Sequence, residues 1–323
     1  MQGLNLIDGR SVKVLVFDRY GRPVLNLRVS VTDSCNLECF YCHREGYCPT
    51  RNIMSKEELL LLVEVASELG VKYVKLTGGE PLLRWDLPEI IRGIADLKGI
   101  REVSMVSNGR LLDYETAKAL KDAGLSRINI GIPSIRDETY HRVTGARLLD
   151  AVEGLENAVR AGLNPVKLNM VLLRGVNDGE VWDAVRFARE KGVVLQLIEL
   201  EPVGLPDETY RLYHFPLDGI VERLEGMAKS VRVRRFMQAR RVYSLDGVEV
   251  EVVKPIENTE FCLNCTRMRL THDGKIKPCL MRNDNLVDVL TPLRGGASKE
   301  ELKNLFLEAV SARRPYWSGA NPS

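Results

Sequence analysis

No run of this sequence is long and apolar enough to cross a bilayer. The best candidate, LLLLVEVA at 59–66, is short and contains Glu64. The start lacks the basic-then-apolar layout of a secretory signal, so the expected compartment is the cytosol. Neither sign of charge dominates: 46 Lys and Arg against 44 Asp and Glu leave a net charge of +2. That argues against a bulk pull toward nucleic acid or membrane. Any preference for anions must come from local placement of Arg and Lys. Low-complexity segments are missing, as are repeats beyond a β-α period. A disulfide framework is not expected either, because the seven cysteines are an odd number in a large chain of cytosolic character. Between Cys48 and Cys262 there is no cysteine at all.

What is present is rhythmic. Apolar, β-rich runs occur at 27–31, 71–76, 103–107, 127–132, 166–171 and 193–198, with helix-like segments between them. In SKEELLLLVEVASELG, Ser55 is an N-cap, Glu58 follows three residues on, and Gly70 is a stop. This is a capping box with a C-terminal glycine. Asp86 and Asp113 open two more helices that end near Gly99 and Gly124. Residues 178–192 repeat the pattern, and 148–161 read as an amphipathic helix. Six β-α units whose strands are apolar on both faces predict a parallel sheet with right-handed crossovers, open or curled into a partial barrel. Chemistry then belongs at the C-terminal strand ends. There stand the first cysteines, TGGEP at 77–81, SNG at 107–109, GIPS at 131–134 and IELEP at 198–202. Lys167 and Asn169 alternate along the fifth strand. After about Pro206 the rhythm breaks. A helix-like stretch at 217–229 is followed by hairpins turning at Asp246-Gly247 and Asp273-Gly274. A last helix near 298–313 precedes a tail, SGANPS, expected to fray. Residues 11–24 read as a hairpin around DRYGRP. The expected organisation is a hairpin at 1–24, a barrel at 25–206 and a C-terminal α+β region at 207–323.

The cysteines fall into two sets of three. Cys35, Cys39 and Cys42 are spaced four and three apart; Cys262, Cys265 and Cys279 are spaced three and fourteen. Thiolates select zinc, copper(I) or iron–sulfur clusters. A structural zinc wants four ligands, typically as two close pairs. His43 could complete the first set, and His272 or Cys48 the second; buried structural thiols are the other plain reading. The alternative is a 4Fe-4S cluster on three thiolates, with one iron left open as a Lewis acid or coordination site. Cys48 fits neither set and reads as a free thiol.

CNLECFYC, residues 35–42, resembles the C-x3-C-x-aromatic-C motif of the radical S-adenosylmethionine (SAM) enzymes. The resemblance implies a partial (β/α)6 barrel and a 4Fe-4S cluster on Cys35, Cys39 and Cys42. Its open iron would chelate SAM, and one electron would release a 5′-deoxyadenosyl radical. By the same resemblance Tyr41, Gly78, Gly79, Glu80, Ser107 and Gly131 contact SAM, the two glycines letting backbone approach the methionine amine. FCLNCTRMRLTHDGKIKPCL, with LRVSVTDSCN, LTGGEPLLR and VKLNMVLLRGVND, is similar to the MoaA family of GTP 3′,8-cyclases in molybdenum-cofactor biosynthesis. The similarity runs from about Leu25 to Leu280. It implies a second 4Fe-4S cluster on Cys262, Cys265 and Cys279, whose open iron binds the guanine of GTP, within a C-terminal α+β extension. Arg28, Lys75, Lys167, Asn169, Arg267 and Arg269 align with GTP contacts. The residues support this independently. Arg267 and Arg269 share one face of an extended segment, and planar forks two residues apart suit a triphosphate. Charges inside apolar strands are costly unless paired or facing a ligand. An outward-facing charge or an internal pair with a strand-end carboxylate such as Glu199 is the plain alternative for Arg28, Lys75 and Lys167, and a solvated basic face is the plain alternative for Arg267 and Arg269.

The sequence also departs from the family. Gly131 stands where relatives usually carry a SAM-binding Ser, with backbone or Ser134 as substitutes. VSNG replaces TTNG, Gln196 replaces a frequent Arg, and SGANPS replaces a Gly-Gly tail. The implied reaction converts GTP to 3′,8-cyclo-7,8-dihydro-GTP. It needs a ferredoxin- or flavodoxin-like electron donor and feeds the next enzyme of the molybdopterin pathway. Neither nucleic acid nor membrane is an expected partner; a homodimer is compatible. Two rivals stand beside it: a radical SAM enzyme acting on a peptide or another small molecule, and a non-enzymatic iron–sulfur or zinc regulator.

Overall fold

Six parallel strands form where the apolar runs predict them: β1 Asn26–Ser30, β2 Tyr73–Thr77, β3 Glu102–Ser107, β4 Leu125–Gly131, β5 Val166–Leu172 and β6 Val194–Glu199. The computed structural model describes residues 6–8, 11–13, 15–46, 50 and 52–318. Alternation sorts the side chains of each strand. Leu27, Val29, Val74, Leu76, Ile128, Ile130, Leu168, Met170, Leu195 and Leu197 are fully buried beneath the helices. The other set, Arg28, Lys75, Ser104, Asn129, Lys167, Asn169 and Gln196, shares the opposite, inner face. This polar lining is the first sign that the barrel interior is a site and not a core.

The helices between the strands are α1 Lys56–Glu68, α2 Leu87–Ala95, α3 Tyr114–Asp122, α4 Asp137–Thr144, α5 Leu148–Arg160 and α6 Val181–Glu190. Ser55 and Glu58 close the predicted capping box on α1, and Asp113 caps α3 through Thr116 N–H. Asp86 precedes α2 but does not cap it. Its carboxylate takes the Arg84 guanidinium instead (2.7 Å), and Arg84 donates to Val31 O (2.7 Å) to hold the end of β1. The sequence reading passes over α4 and a later helix, α7 Asp207–Tyr213. Both begin Asp-Glu-Thr-Tyr and are too short for a clear apolar period.

The C-terminal region continues the same sheet on both sides. Helix α8, Asp218–Met227, leads to β7 Ser230–Arg234, β8 Arg240–Leu245 and β9 Val248–Val253; β8 and β9 form the hairpin predicted at Asp246-Gly247. Strand β9 pairs in parallel with β6, placing Glu251 beside Gln196. After α9 Thr259–Leu263, strand β10 Arg267–Leu270 pairs in parallel with β1, placing Arg269 beside Arg28. Strands β11 Lys275–Lys277 and β12 Val287–Asp288 finish that edge, before α10 Leu290–Arg294 and α11 Lys299–Ser311. Among the described residues the order is β12-β11-β10-β1-β2-β3-β4-β5-β6-β9-β8-β7. The predicted hairpin at DRYGRP forms, with a Phe17–Pro23 bridge around a turn at Asp18. No helix among the described residues is long and apolar enough to cross a membrane. Cys48 and residues 319–323 of the tail lie outside the described residues.

Candidate active site

The loop after β1 carries Cys35, Cys39 and Cys42, and neighbouring strand ends hold it by its backbone. Gly79 N–H donates to Thr32 O (2.9 Å) and Glu80 N–H to Ser34 O (2.7 Å). A Cβ on Gly79 would fall 2.0 Å from Ser34 O, and one on Gly78 2.8 Å from Thr32 O. Contact with this loop is itself a reason for both glycines, distinct from the ligand approach to which the sequence reading assigned them. Gly79→Ala should displace the loop at a cost of about 1–3 kcal/mol. A lowered melting temperature and poorer iron uptake would register it; parental values in both would refute the packing role.

The SNG turn grips the same loop. Asn108 Nδ2 donates to Asn36 Oδ1 (2.6 Å) and Arg110 to Asn36 O (3.1 Å). Behind it, the buried Glu80 carboxylate accepts from Ser107 Oγ (2.8 Å), Asn108 N–H (2.7 Å) and Leu82 N–H (3.0 Å). Glu80 and Ser107, both expected to touch SAM, thus satisfy each other beneath the rim. Tyr41, Cys42, Gly78, Gly79 and Gly131 do line the chamber above.

Burial pushes the Cys39 thiol up to about 12, with repulsion from Cys42 and Cys35 adding to it; Cys35 and Cys42 are also raised, chiefly by burial. Three thiolates that repel one another are what a cationic iron–sulfur core holds together, so the donor set fits such a cluster. Among the described residues, no three His, Cys, Asp or Glu side chains converge as ligands of a single metal ion. His43 Nδ1 instead accepts Glu45 N–H (2.9 Å), and His272 faces Asp33 (3.6 Å).

Cys262, Cys265 and Cys279 meet on the other side of the chamber, where both ends of the chain hold them. Buried Asp18, in the N-terminal hairpin, pairs with Arg22 (2.8 Å) and Arg313 (3.2 Å). Arg22 donates to Cys262 O (2.9 Å) and Arg313 to Cys265 O (2.7 Å). Burial alone would raise the Cys265 thiol, but Arg313 and Arg267 bring it below its usual value; burial keeps Cys262 and Cys279 raised. Trp317 N–H points at Cys262 Sγ (3.4 Å), and Tyr316 and Trp317 line the chamber. Sequence reasoning missed Asp18, Arg22 and Arg313. Their one local signal is the Asp-x3-Arg spacing across a tight turn.

Between the triads the predicted basic residues fall into three situations. Arg28 and Arg269 share a carboxylate that the sequence reading overlooked: Glu45 lies 3.5 Å from Arg28 and 3.2 Å from Arg269. Burial opposes its charge, yet the two arginines hold Glu45 at about 2. Lys167 pairs with buried Glu251, not with Glu199; burial brings the lysine to about 8 despite this partner. Glu251 also takes Arg234 (3.0 Å) and Arg240 (3.5 Å). Lys75 donates to Asn129 Oδ1 (2.9 Å), with desolvation and then Arg127 and Arg28 pulling it well down. Lys75 and Lys167 are thus committed inside the barrel, while Arg28, Asn169, Arg267 and Arg269 line the chamber. Arg267 is the exception in charge. It is 7% exposed, faces Arg240 and Arg28, and makes no ion pair among the described residues.

Two family models divide the chain: the Radical SAM superfamily matches residues 29–188 and Molybdenum Cofactor Synthesis C matches 193–319. A probable GTP 3′,8-cyclase of Methanothermobacter thermautotrophicus is 48% identical, over 94% of this chain and 99% of the relative. Another, of Pyrococcus abyssi, is 49% identical over 94% of this chain and all of the relative. The chain belongs to the GTP 3′,8-cyclase family. As a member of the radical SAM superfamily it uses SAM and an iron–sulfur cluster. The fold agrees with that placement: Streptococcus suis SuiB bound to S-adenosylmethionine superposes with a TM-score of 0.65, over 93% of this chain and 69% of that one, at 15% identity.

Two departures from the GTP 3′,8-cyclase pattern acquire a physical context. A Cβ on Gly131 would meet only Ser107 O, at an ordinary contact distance of 3.8 Å, so the usual Ser would start without a clash here. Ser134 does not fill it, because its hydroxyl donates to Glu180 (2.7 Å). Gln196 lines the chamber and accepts from Asn129 Nδ2 (3.3 Å).

Proposed function

We propose that this chamber converts GTP to 3′,8-cyclo-7,8-dihydro-GTP, with SAM at the first cysteine triad and GTP at the second. The observation that supports this most is the pairing itself: Cys42 of the first triad and all three thiols of the second line one chamber, with chamber-lining Arg267 free of any described carboxylate. When bound, 4Fe-4S clusters with open irons at the two triads supply the electron that splits SAM and a coordination site for guanine. Arg267, with Arg28 and Arg269, binds the triphosphate through planar donor forks. Tyr41 and the backbone at Gly78, Gly79 and Gly131 border SAM. Asn169 faces the nucleotide; Lys75 holds Asn129 behind it, and Lys167 pairs with Glu251, which also takes chamber-lining Arg240.

In the substrate, C3′ loses its hydrogen to the 5′-deoxyadenosyl radical, and the C3′–C8 bond forms. One electron and one proton complete the dihydro product. The residues enclosing the chamber keep water and other hydrogen donors away from a reactive primary radical. A ferredoxin- or flavodoxin-like carrier in the cytosol supplies electrons, and the product passes to the next enzyme of the molybdopterin pathway. Anaerobic incubation with SAM, dithionite and GTP should yield 5′-deoxyadenosine and the cyclised nucleotide together. Formation of 5′-deoxyadenosine with no change in GTP would overturn the assignment.

A further inference from the structure

Asn129 was not singled out by its sequence context, yet it is the hub of the barrel interior. It is 3% exposed and every hydrogen-bonding group of its side chain is used. Its Oδ1 accepts from Lys75 Nζ (2.9 Å). Its Nδ2 donates both hydrogens, one to Asn169 Oδ1 (2.9 Å) and one to Gln196 Oε1 (3.3 Å). The polarity of this chain follows from its first member. Lys75 Nζ is the donor here, so the Asn129 oxygen faces Lys75. The Asn129 amide nitrogen then faces Asn169 and Gln196, which must answer with their oxygens. Their own NH2 groups are thereby turned away from Asn129, and neither donates to another protein group among the described residues. Both side chains line the chamber. They stand side by side in register on β5 and β6, level with chamber-lining Gly131 on β4.

We propose that Lys75 and Asn129 lock Asn169 and Gln196 as paired N–H donors, and that this pair selects the nucleotide by the hydroxyl oxygens of its ribose. Rested on the GTP reading above, the assignment divides the chamber by chemistry. Phosphate oxygens carry charge and belong to the arginine forks. Ribose hydroxyl oxygens are neutral acceptors, matched by neutral amide donors. Holding these oxygens fixes the sugar, and with it the C3′–H bond that must break. Asn129 is thus a positioning residue, acting through two others.

The test inverts the polarity without changing the shape. In Asn129→Asp the side chain accepts on both sides: it still takes Lys75, but Asn169 and Gln196 must now donate to it and turn their oxygens to the chamber. Equilibrium binding of GTP, 2′-deoxy-GTP and 3′-deoxy-GTP is measured anaerobically on the cluster-loaded parent and variant, alongside melting temperature and SAM affinity. The parent is expected to favour GTP over at least one deoxy analogue by about tenfold or more, since the missing oxygen leaves a desolvated donor unmatched. In Asn129→Asp that preference should fall to near unity while SAM affinity stays parental. The added charge cannot imitate this result, because it would weaken all three triphosphates alike and leave their ratio unchanged. An unchanged ratio in the variant, or a parent indifferent to both deoxy analogues, overturns the proposal. If Asn129→Asp shows no cooperative melting, Gln196→Glu takes its place. It keeps an oxygen for Asn129 and presents an acceptor where an N–H stood, so it should erode the same preference; a parental ratio there also overturns the proposal. A parent that neither binds nor converts GTP would instead sink the cyclase reading.

Discussion

Replacing Cys35, Cys39 and Cys42 together with Ala is expected to abolish 5′-deoxyadenosine formation and to remove about half the bound iron, roughly four of eight atoms per chain. The triple change is the right probe, because two remaining thiolates can retain a damaged cluster. The fold should survive it. The cysteine loop is held by Thr32, Ser34 and Asn36 through Gly79, Glu80, Asn108 and Arg110, and none of these bonds uses a thiol. The other half of the iron should stay, since Asp18, Arg22 and Arg313 support the second triad from a different part of the chain. Any 5′-deoxyadenosine released by the triple variant would show that SAM is cleaved elsewhere. The matching change at Cys262, Cys265 and Cys279 should have the opposite signature, retaining some uncoupled SAM cleavage while the cyclised product disappears. Zinc bound at those three residues in anaerobically isolated protein would contradict the second-cluster assignment.

Much of this arrangement is written locally. The six β-α units declare themselves by apolar runs, a capping box at Ser55–Glu58 and glycines at helix ends. The cysteine spacings declare the triads. What remained hidden depends on pairing between distant segments. Glu45 reads as an ordinary surface acid in CHREG, and only the parallel pairing of β10 with β1 gives it two arginines, half-buried Arg28 and buried Arg269. Glu251 sits in an alternating hairpin strand, VEVEVV, where Glu249 is partly exposed; β9 joining β6 turns Glu251 into the barrel against Lys167. Arg22 and Arg313 lie 291 positions apart and meet on one carboxylate. Glu80 and Ser107 were legible as residues of the right strand ends but not as partners of each other. Sequence reading found the rim, in short, but could not see which of its charges would already be neutralised.

That last distinction gives the arginines of β10 unequal roles. If both clamped the triphosphate alone, Ala at either position would cost the same. The structure breaks this symmetry: Arg269 is tied to Glu45 (3.2 Å), and Arg267 makes no ion pair among the described residues. Burial, with Arg240 and Arg28 nearby, lowers the Arg267 pKa well below its usual value, so its charge is held at a cost that an incoming polyanion relieves. Arg267→Ala should therefore weaken GTP binding by about 1.5–3 kcal/mol, the range for hydrogen bonds to charged groups, or ten- to hundredfold in affinity. Its melting temperature should hold or rise, because a buried cation lacking a carboxylate partner is gone. Arg269→Ala should lose less GTP affinity and more stability, since it leaves buried Glu45 with Arg28 alone. Arg267→Lys should rescue poorly, because an ammonium cannot reproduce the bidentate fork. Equilibrium GTP binding and thermal melting of the three variants, with cluster content confirmed in each, decide the matter. Equal losses of affinity and equal melting shifts in the two Ala variants would mean that Glu45 does not distinguish the two arginines. Parental GTP affinity in Arg267→Ala would remove this residue from the triphosphate site altogether.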